Sequence, residues 1–501
     1  MRIKLILVTL SLLTFFSVSF ALAEGNEYQK TLNNFKESVR EFTLENGLRV
    51  IFYKRGDAPV FAGVVAARVG GSDEVPGETG ISHMFEHMAF KGTSKIGTSD
   101  YKSEKRLLDR LEEIAPHMDE QGNLPEKEQA EWADIHKQLA KLWISDEFTR
   151  EYERRGASGM NATTDSELTR YFVNLPSSEF DFWCRMEAAR LKDPVMRQFY
   201  QEREVVLEER RMRTDDSPEG KLYEMLLGVS FLHHRYQNPV IGYVNDLKKL
   251  TASHLDKFRK RFYVPGNIVI AFVGDVDPDR DLPIVTRYFG DIPSAPMPAR
   301  PTMVEPKQEG ERSVVLEHES SPAMYVGFKK PIYPDPDDAV ISVMSEILAG
   351  SSVSPLYTEL VKDRKIATSV DVFEAPGNAY PNLLLFGITP KFPHSNLENL
   401  TIFDQIIDRL KEKGPTEQQV KIAKRAMAVE YLGKLKSNSG LAVDLASVEL
   451  LHHDWKSLFN WYDQVMNVSA ADIKRVANQY LVRANRVVAR VEDKRDSNRG
   501  R

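Results

Sequence analysis

The stretch around which the rest of the chain is organised reads Gly80-Ile81-Ser82-His83-Met84-Phe85-Glu86-His87-Met88-Ala89-Phe90. On a helix, His83 and His87 are four residues apart and lie one above the other on the same face. Two neutral imidazoles with this spacing can each place a ring nitrogen about 2.0–2.1 Å from a Zn²⁺ ion. Glu86 borders the same face, where a carboxylate can act as a base. The order H-x-x-E-H is the reverse of the zinc-binding H-E-x-x-H motif, although a helix with two incidental histidines would read the same.

A second helix, predicted between about Pro194 and Arg213, offers candidates for a third metal ligand. Spacings of three, four and three residues place four of its side chains on one face: Phe199, Glu202, Val206 and Glu209. An acid on an apolar face is costly to bury unless it is paired or binds a metal. We therefore predict Glu209 as the third ligand and Glu202 as an acid that supports a ligand. Glu208, on the charged side of the helix, is the alternative third ligand.

Two segments of the chain repeat one pattern at a separation of 218 residues. Each has a hydroxyl residue that can cap a helix, an apolar helical stripe, an asparagine before a strand and a closing aspartate. The first copy consists of Thr251, Leu255, Phe258, Phe262, Asn267 and Asp275, and the second of Ser469, Ile473, Val476, Tyr480, Asn485 and Asp493. Both copies predict a helix followed by a strand. The chain is thus predicted to contain two related α/β halves, of which only the first has H-x-x-E-H.

The domain boundaries follow from this duplication and from a run of prolines between the copies. We expect an N-terminal metal-binding domain at residues 24–292, a proline-rich linker at 293–311 and a C-terminal domain without a metal site at 312–501. A charged helical hairpin at about residues 100–155 is predicted as an insertion in the first domain. The predicted fold class is α+β, with an antiparallel-rich sheet covered by helices in each half.

The first residues predict a secretory signal peptide. A basic start, an apolar run from Leu5 to Phe20 and the small-x-small sequence Ala21-Leu22-Ala23 predict cleavage after Ala23. The apolar run is shorter than the roughly 20 residues that a spanning helix needs. We therefore expect a periplasmic protein with no membrane span after cleavage of the signal peptide.

Composition narrows the classes of function. The chain of 501 residues has a formal net charge of −6, which does not favour nucleic acid as a partner. Cys184 is the only cysteine, so no intramolecular disulfide can form. Stability must come from a large hydrophobic core.

These residues resemble the pitrilysin, insulysin and mitochondrial-processing-peptidase family, in particular its short bacterial branch. The likeness covers nearly the whole chain after Ala23 and is carried by the H-x-x-E-H motif, by the helix with Glu202 and Glu209, and by Gly274-Asp275-Val276, which closes the first half. It implies a zinc endopeptidase with one Zn²⁺ per chain, whose two halves enclose a chamber. It also implies that Glu86 activates the attacking water while zinc polarises the peptide carbonyl. Substrate would add as a strand beside Asn161-Ala162.

The sequence departs from the family's pattern in its second half. Active single-chain members have there an arginine and, seven residues later, a tyrosine that hold the substrate carbonyl and stabilise the oxyanion. Alignment after Leu356-Tyr357 places Val361 and Thr368 at those positions, and neither side chain can do this work. Arg364 is the only arginine nearby, and no tyrosine follows it at that spacing.

The resemblance and this departure together lead to a functional expectation. The chain is predicted to be the zinc-bearing subunit of a heterodimer that hydrolyses unfolded or short peptides, with a related partner supplying the arginine and tyrosine. The alternative is a zinc-binding but proteolytically inactive structural subunit. Subunits of that kind usually lose the zinc motif, whereas this chain keeps all of it.

Overall fold

The computed structural model describes residues 35–56, 58–119, 121–300 and 302–493, so the predicted signal peptide lies outside the described residues. In these ranges eleven strands form two sheets: β1 (Val39–Thr43), β2 (Arg49–Lys54), β3 (Val60–Ala67), β4 (Ser158–Thr164), β5 (Thr169–Pro176), β6 (Ile268–Gly274), β7 (Arg312–His318), β8 (Ala323–Lys330), β9 (Ala367–Ala375), β10 (Asn382–Pro390) and β11 (Arg486–Asp493). All strands of the first sheet precede all strands of the second.

Helices occupy most of the remaining described chain. Those of the first half are α1 (Ile81–Met88), α2 (Tyr101–Ile114), α3 (Glu126–Leu139), α4 (Glu147–Glu153), α5 (Phe180–Lys192), α6 (Phe199–Arg210), α7 (Pro218–Ser230), α8 (Val244–Lys249), α9 (Ala252–Phe262) and α10 (Pro278–Phe289). Those of the second half are α11 (Pro336–Ala349), α12 (Pro355–Tyr357), α13 (Asn396–Lys413), α14 (Glu417–Lys436), α15 (Asn438–His452), α16 (Ser457–Asn467) and α17 (Ala470–Tyr480). Within the described ranges, none of these helices combines the length and the apolar character needed to cross a membrane.

The two sheets have the same topology, which confirms the predicted α+β fold of two related halves. The first sheet has the order β1-β2-β6-β3-β5-β4, and the second has the order β7-β11-β8-β10-β9. In each sheet one pair of strands is parallel, β2 with β6 and β7 with β11, and the other pairs are antiparallel. The second sheet is therefore a copy of the first without β1.

The repeated asparagines explain why the two copies fold alike. Asn267 Nδ2 donates to the carbonyl oxygens of Phe262 and Arg68, at 2.7 and 3.0 Å. Asn485 Nδ2 makes the equivalent bonds, to Tyr480 at 2.9 Å and Lys329 at 2.8 Å. Each asparagine thus ties the end of its helix to the neighbouring strand and satisfies carbonyl groups that the helix leaves open.

Strand β3 reads as an uninterrupted apolar run because both of its faces are covered. Phe61, Val65 and Ala67 face the core that contains α1 and α5, whereas Ala62 and Val64 face the opposite core. Gly63 allows the indole of Trp183 to approach, since a Cβ on this residue would lie 2.5 Å from the ring. Two-sided burial removes the alternation of polar and apolar residues that marks a half-exposed strand.

Each half contributes one helix to the other half's sheet. The helix α15 of the second half packs on the first sheet, where Leu441 and Leu445 meet Val64 and Ala271. The helix α7 of the first half packs on the second sheet, where Leu222 and Leu226 lie in one cluster with the buried residues of β10 and β11. The halves are therefore interlocked, although their strands do not mix.

Two elements differ in detail from the sequence predictions. The ligand helix begins at Phe199 instead of Pro194, because Gln198 has a positive φ of 59° and residues 194–198 turn into the helix instead of continuing it. The helical hairpin forms from α2 and α3, but its apolar stripes are more buried than a surface insertion implies. Leu111 and Leu139 belong to the same core cluster as the first sheet.

Candidate metal centre

Helix α1 is fixed at its N-terminus and through its buried apolar residues, so the side chains of His83, Glu86 and His87 have a defined direction. Its N-cap, Gly80, has a φ of 87°, which favours glycine, and a Cβ there would lie 2.6 Å from the Ile241 carbonyl oxygen. The buried carboxylate of Glu74 accepts hydrogen bonds from the amides of Gly80, at 2.8 Å, and Ser82, at 2.9 Å. Burial raises the pKa of Glu74 to about 8, against the opposing effect of these bonds.

The three predicted ligands lie together where α1 packs against α6. Nε2 of His83 and Nε2 of His87 are 3.8 and 3.5 Å from the same oxygen of Glu209, Oε2. All three ligand atoms lie within 4.8 Å of one another, and the three residues are half-buried. Glu208, the alternative ligand, points away: it forms an exposed ion pair with Arg211.

This donor set fits a zinc ion. In a tetrahedral site with bonds of about 2.0–2.1 Å, neighbouring ligand atoms are about 3.3–3.4 Å apart, close to the separations between the histidine nitrogens and Glu209. Burial lowers the pKa of His83 to about 3, with help from the charges of His87 and Arg213, so its imidazole is neutral as a ligand must be. Three protein donors of this kind leave one coordination position open, as in catalytic zinc sites.

Glu202 supports His87 from behind the cluster. Nδ1 of His87 lies 2.9 Å from Glu202 Oε1, and Lys91 Nζ lies 2.5 Å from Oε2 of the same carboxylate. An ionised carboxylate only accepts, so Nδ1 of His87 donates to Glu202 and Nε2 is the ring nitrogen directed towards Glu209. Burial lowers the pKa of His87, but the hydrogen bond and charge of Glu202 outweigh it and the pKa is raised. The geometry is that of an acid orienting a metal ligand.

Glu86 stands beside the cluster and is held by a residue that the sequence analysis missed. Thr164, at the end of β4, donates its hydroxyl to Glu86 Oε2 at 2.5 Å. Burial raises the pKa of Glu86, while the Thr164 bond acts in the opposite direction. A carboxylate with a raised pKa and one oxygen fixed is suited to accept a proton and pass it on. The stretch Asn161-Ala162-Thr163-Thr164 was the available signal, since it brings a hydroxyl to the strand beside the motif.

The strand that is predicted to bind the substrate, β4, lies at an edge of the first sheet. Asn161 and Ala162 lie in β4, which pairs with β5 alone among the described strands. Asn161 is exposed and Ala162 is buried. Because Thr164 joins this strand to Glu86, a peptide added along β4 would pass close to the metal cluster.

Two further residues at the cluster were not predicted from the sequence. One is Glu74, which caps α1 and lies nine residues before His83 with no local signal. The other is Arg213, whose Nη1 is 2.9 Å from Glu209 Oε1. At the positions that the resemblance assigns to a carbonyl-binding pair, Val361 packs against the second half's core and Thr368 donates to the Thr389 carbonyl oxygen.

The fold and the cluster define an α+β protein of two related halves, and among the described residues the His-His-Glu cluster lies on the first half alone. Residues 249–427 match a family model described as "Peptidase M16 inactive domain". The chain is 26% identical over 461 residues to a protein named zinc protease PqqE from Helicobacter pylori, covering 88% of this chain and 89% of the relative. On these findings the chain is similar to zinc proteases, and part of it is similar to the M16 peptidase family model.

Solved structures share the fold. A protease from Helicobacter pylori superposes with a TM-score of 0.77 and 24% identity, over 91% of this chain and 99% of that one. The periplasmic protease PqqL from Escherichia coli superposes with a TM-score of 0.68 and 14% identity, over 92% of this chain but 48% of its own length. The larger protein thus contains the two-half unit as about half of its chain.

Proposed function

We propose that this protein is a periplasmic zinc metalloendopeptidase that hydrolyses unfolded or short peptides. The observation that carries the proposal is the convergence of His83, His87 and Glu209 on one point beside Glu86, under an open strand edge. A zinc ion bound there would polarise the peptide carbonyl and lower the pKa of the attacking water. The zinc protease relative supports this choice of metal, and the periplasmic relative supports the localisation.

The protein's own residues would bind the peptide, transfer the proton and orient the metal ligand. The free edge of β4 at Asn161 and Ala162 would bind the peptide main chain and leave side-chain preference loose. Glu86 would take a proton from the attacking water on its free oxygen, while Thr164 holds the other oxygen, and would then deliver the proton to the leaving nitrogen. Glu202 would keep His87 in the required tautomer. A chamber between the two halves would restrict access to flexible chains.

The proposal includes a related partner subunit. Val361 and Thr368 cannot supply the carbonyl-binding arginine and tyrosine that single-chain family members use. Removal of even one oxyanion donor costs other proteases roughly 10²–10³ in rate. A partner with the arginine and tyrosine but without H-x-x-E-H would complete the site, and the zinc-bearing chain alone would have low activity.

A zinc-binding but proteolytically inactive structural subunit is the second candidate. It is favoured by the description of the matched family model as inactive. That match begins at residue 249, however, and does not include the three ligands or Glu86. The description therefore applies to a segment that starts near the end of the first half and continues into the second half.

The test compares hydrolysis of a flexible fluorogenic peptide by this protein, by a candidate partner and by their mixture, each with and without a chelator. We expect strong, chelator-sensitive hydrolysis in the mixture and at most weak hydrolysis by this protein alone. Strong activity from a verified monomer would reject the heterodimer. No hydrolysis in the mixture despite bound zinc would favour the inactive subunit.

A further inference from the structure

Arg213 places a guanidinium at the open side of the metal cluster. Its Nη1 forms an ion pair at 2.9 Å with Glu209 Oε1, whereas the histidines lie closest to Oε2 of that carboxylate. The side chain of Arg213 is 74% exposed and that of Glu209 is 16% exposed. The positive charge therefore stands on the solvent-exposed side of Glu209, next to the ligand cluster.

The main chain of Arg213 is fixed even though its side chain is exposed. Helix α6 passes into a π-helical turn at Arg211–Asp215, a conformation that is rare and frequent at functional sites. Arg210 anchors the start of this turn through Glu224 and the Gly242 carbonyl oxygen. Gly220 presses against the turn, because a Cβ there would lie 2.0 Å from the Arg213 carbonyl oxygen. A fixed backbone limits where the guanidinium can reach.

Arg211, on the same turn, differs from Arg213 in the partners of its guanidinium group. Its guanidinium pairs with two carboxylates, Glu208 and Asp216, on the outer surface. Arg213 instead meets one carboxylate through one nitrogen, and within the described ranges its Nε and Nη2 have no protein partner. An arginine has five N–H donors, so Arg213 keeps donors to offer to a ligand.

We propose that Arg213 is a catalytic residue that donates a hydrogen bond to the carbonyl oxygen of the scissile peptide, an inference that rests on the proposed function. As water adds to the carbonyl carbon, the electron pair of the C=O bond moves to the oxygen, and Arg213 stabilises that charge while keeping its own proton. The C–N bond then breaks as Glu86 passes its proton to the nitrogen. Arg213 thus supplies within this chain one donor of the kind that Val361 and Thr368 cannot supply.

A hydrogen-bond donor at Arg213 predicts residual activity for the isolated protein. With one donor in place, it should hydrolyse flexible peptides slowly instead of not at all, and this residual activity should depend on Arg213. The partner's donors would add to Arg213 and not replace it, so Arg213→Gln should also impair the mixture.

The experiment compares Arg213→Gln with Arg211→Gln, which removes the same charge two residues away. Three quantities are measured: zinc content, kcat and KM for a fluorogenic peptide, and affinity for a phosphinic peptide that imitates the tetrahedral transition state. For Arg213→Gln we expect a loss of roughly 10²–10³ in kcat, a similar loss in phosphinic-peptide affinity, and unchanged KM and zinc content. Arg211→Gln should match the wild type in every measurement.

Other results would overturn the inference. Loss of zinc in proportion to activity would mean that Arg213 only holds Glu209. A raised KM with unchanged kcat would mean that it binds the ground state alone, and an unaffected variant would mean that it has no role. If the zinc-loaded wild type hydrolyses no peptide in any combination, the proposed function fails, but phosphinic-peptide affinity still decides whether Arg213 contacts the ligand.

Discussion

Helices α1 and α11 occupy equivalent places in the two halves and carry different chemistry. Both follow the central antiparallel strand of their sheet, β3 or β8, and both pack against a later helix, α6 or α14. In α1 three half-buried positions hold His83, Glu86 and His87. In α11 the same pattern of burial recurs with Ser342, Ser345 and Glu346.

The second half uses these positions for internal hydrogen bonds. Ser342 donates to Glu374 at 3.1 Å, and Ser345 donates to the carbonyl oxygen of Ser342 at 2.9 Å. Burial raises the pKa of Glu346, and the nearby charge of Glu430 raises it further. The fold therefore needs these helices for their apolar sides, and the half-buried positions can hold either metal ligands or other polar residues.

The largest effect is expected from removing a ligand on α1 or α6. His83→Ala and Glu209→Gln should each abolish zinc binding and with it peptide hydrolysis, because a catalytic zinc site needs its three protein ligands. Glu208→Gln is the matched control and should retain zinc, since Glu208 pairs with Arg211 outside the cluster. Elemental analysis of the purified variants measures the metal. Full zinc in Glu209→Gln with loss of zinc in Glu208→Gln would show that Glu208 is the third ligand.

The second largest effect is expected from substitution of Glu86 in α1, with Ser345 at the equivalent position of α11 as the comparison. Glu86→Gln should retain zinc and lower kcat by about 10²–10⁴, the usual contribution of a general base. Ser345→Ala, at the equivalent position of α11, should leave both zinc content and kcat at wild-type values. Steady-state kinetics on one flexible peptide checks both variants. A comparable loss of kcat in Ser345→Ala would show that the second half also has a catalytic role.

A smaller effect is expected from the acid behind the cluster. Glu202→Gln should weaken zinc affinity or activity by about 10–100-fold, because it removes the carboxylate that orients His87. Glu204→Gln removes a more exposed acid of the same helix, 67% exposed, and should have no measurable effect. Competition for zinc against a chelator of known affinity provides the measurement. Equal affinities in the two variants would remove Glu202 from the site.

The smallest effect is expected from substitution of the equivalent asparagines of the two halves, Asn267 and Asn485. Asn267→Ala and Asn485→Ala each remove two hydrogen bonds to backbone carbonyls, and a buried carbonyl left unsatisfied costs about 1–3 kcal/mol. Asn267 is fully buried and also accepts from Arg300, whereas Asn485 is half-buried, so Asn267→Ala should destabilise more. Denaturant unfolding gives both free energies. A larger loss for Asn485→Ala would mean that the two tie points are not equivalent.

Much of the fold was predictable from local patterns. The spacing of the two copies, from Thr251 and from Ser469, predicted a capped helix followed by a strand in each half, and both are present with their hydroxyl caps. The interlocking of α7 and α15 was not predictable, because an apolar helix face does not specify which sheet will cover it. The burial of the α2–α3 hairpin was underestimated for the same reason.

The sequence by itself determined the candidate chemistry: two histidines one helical turn apart, an acid between them, and acids on the apolar face of a later helix. These depend on spacing within one helix, which backbone geometry fixes. Packing between elements, which the sequence pattern does not specify, brings Glu209 and not Glu208 to the histidines and brings Thr164 to Glu86. The contacts of the histidines with Glu209 and of Glu86 with Thr164 join segments far apart in the chain, and the packing of α6 on α1 and of β4 beside them sets their distances.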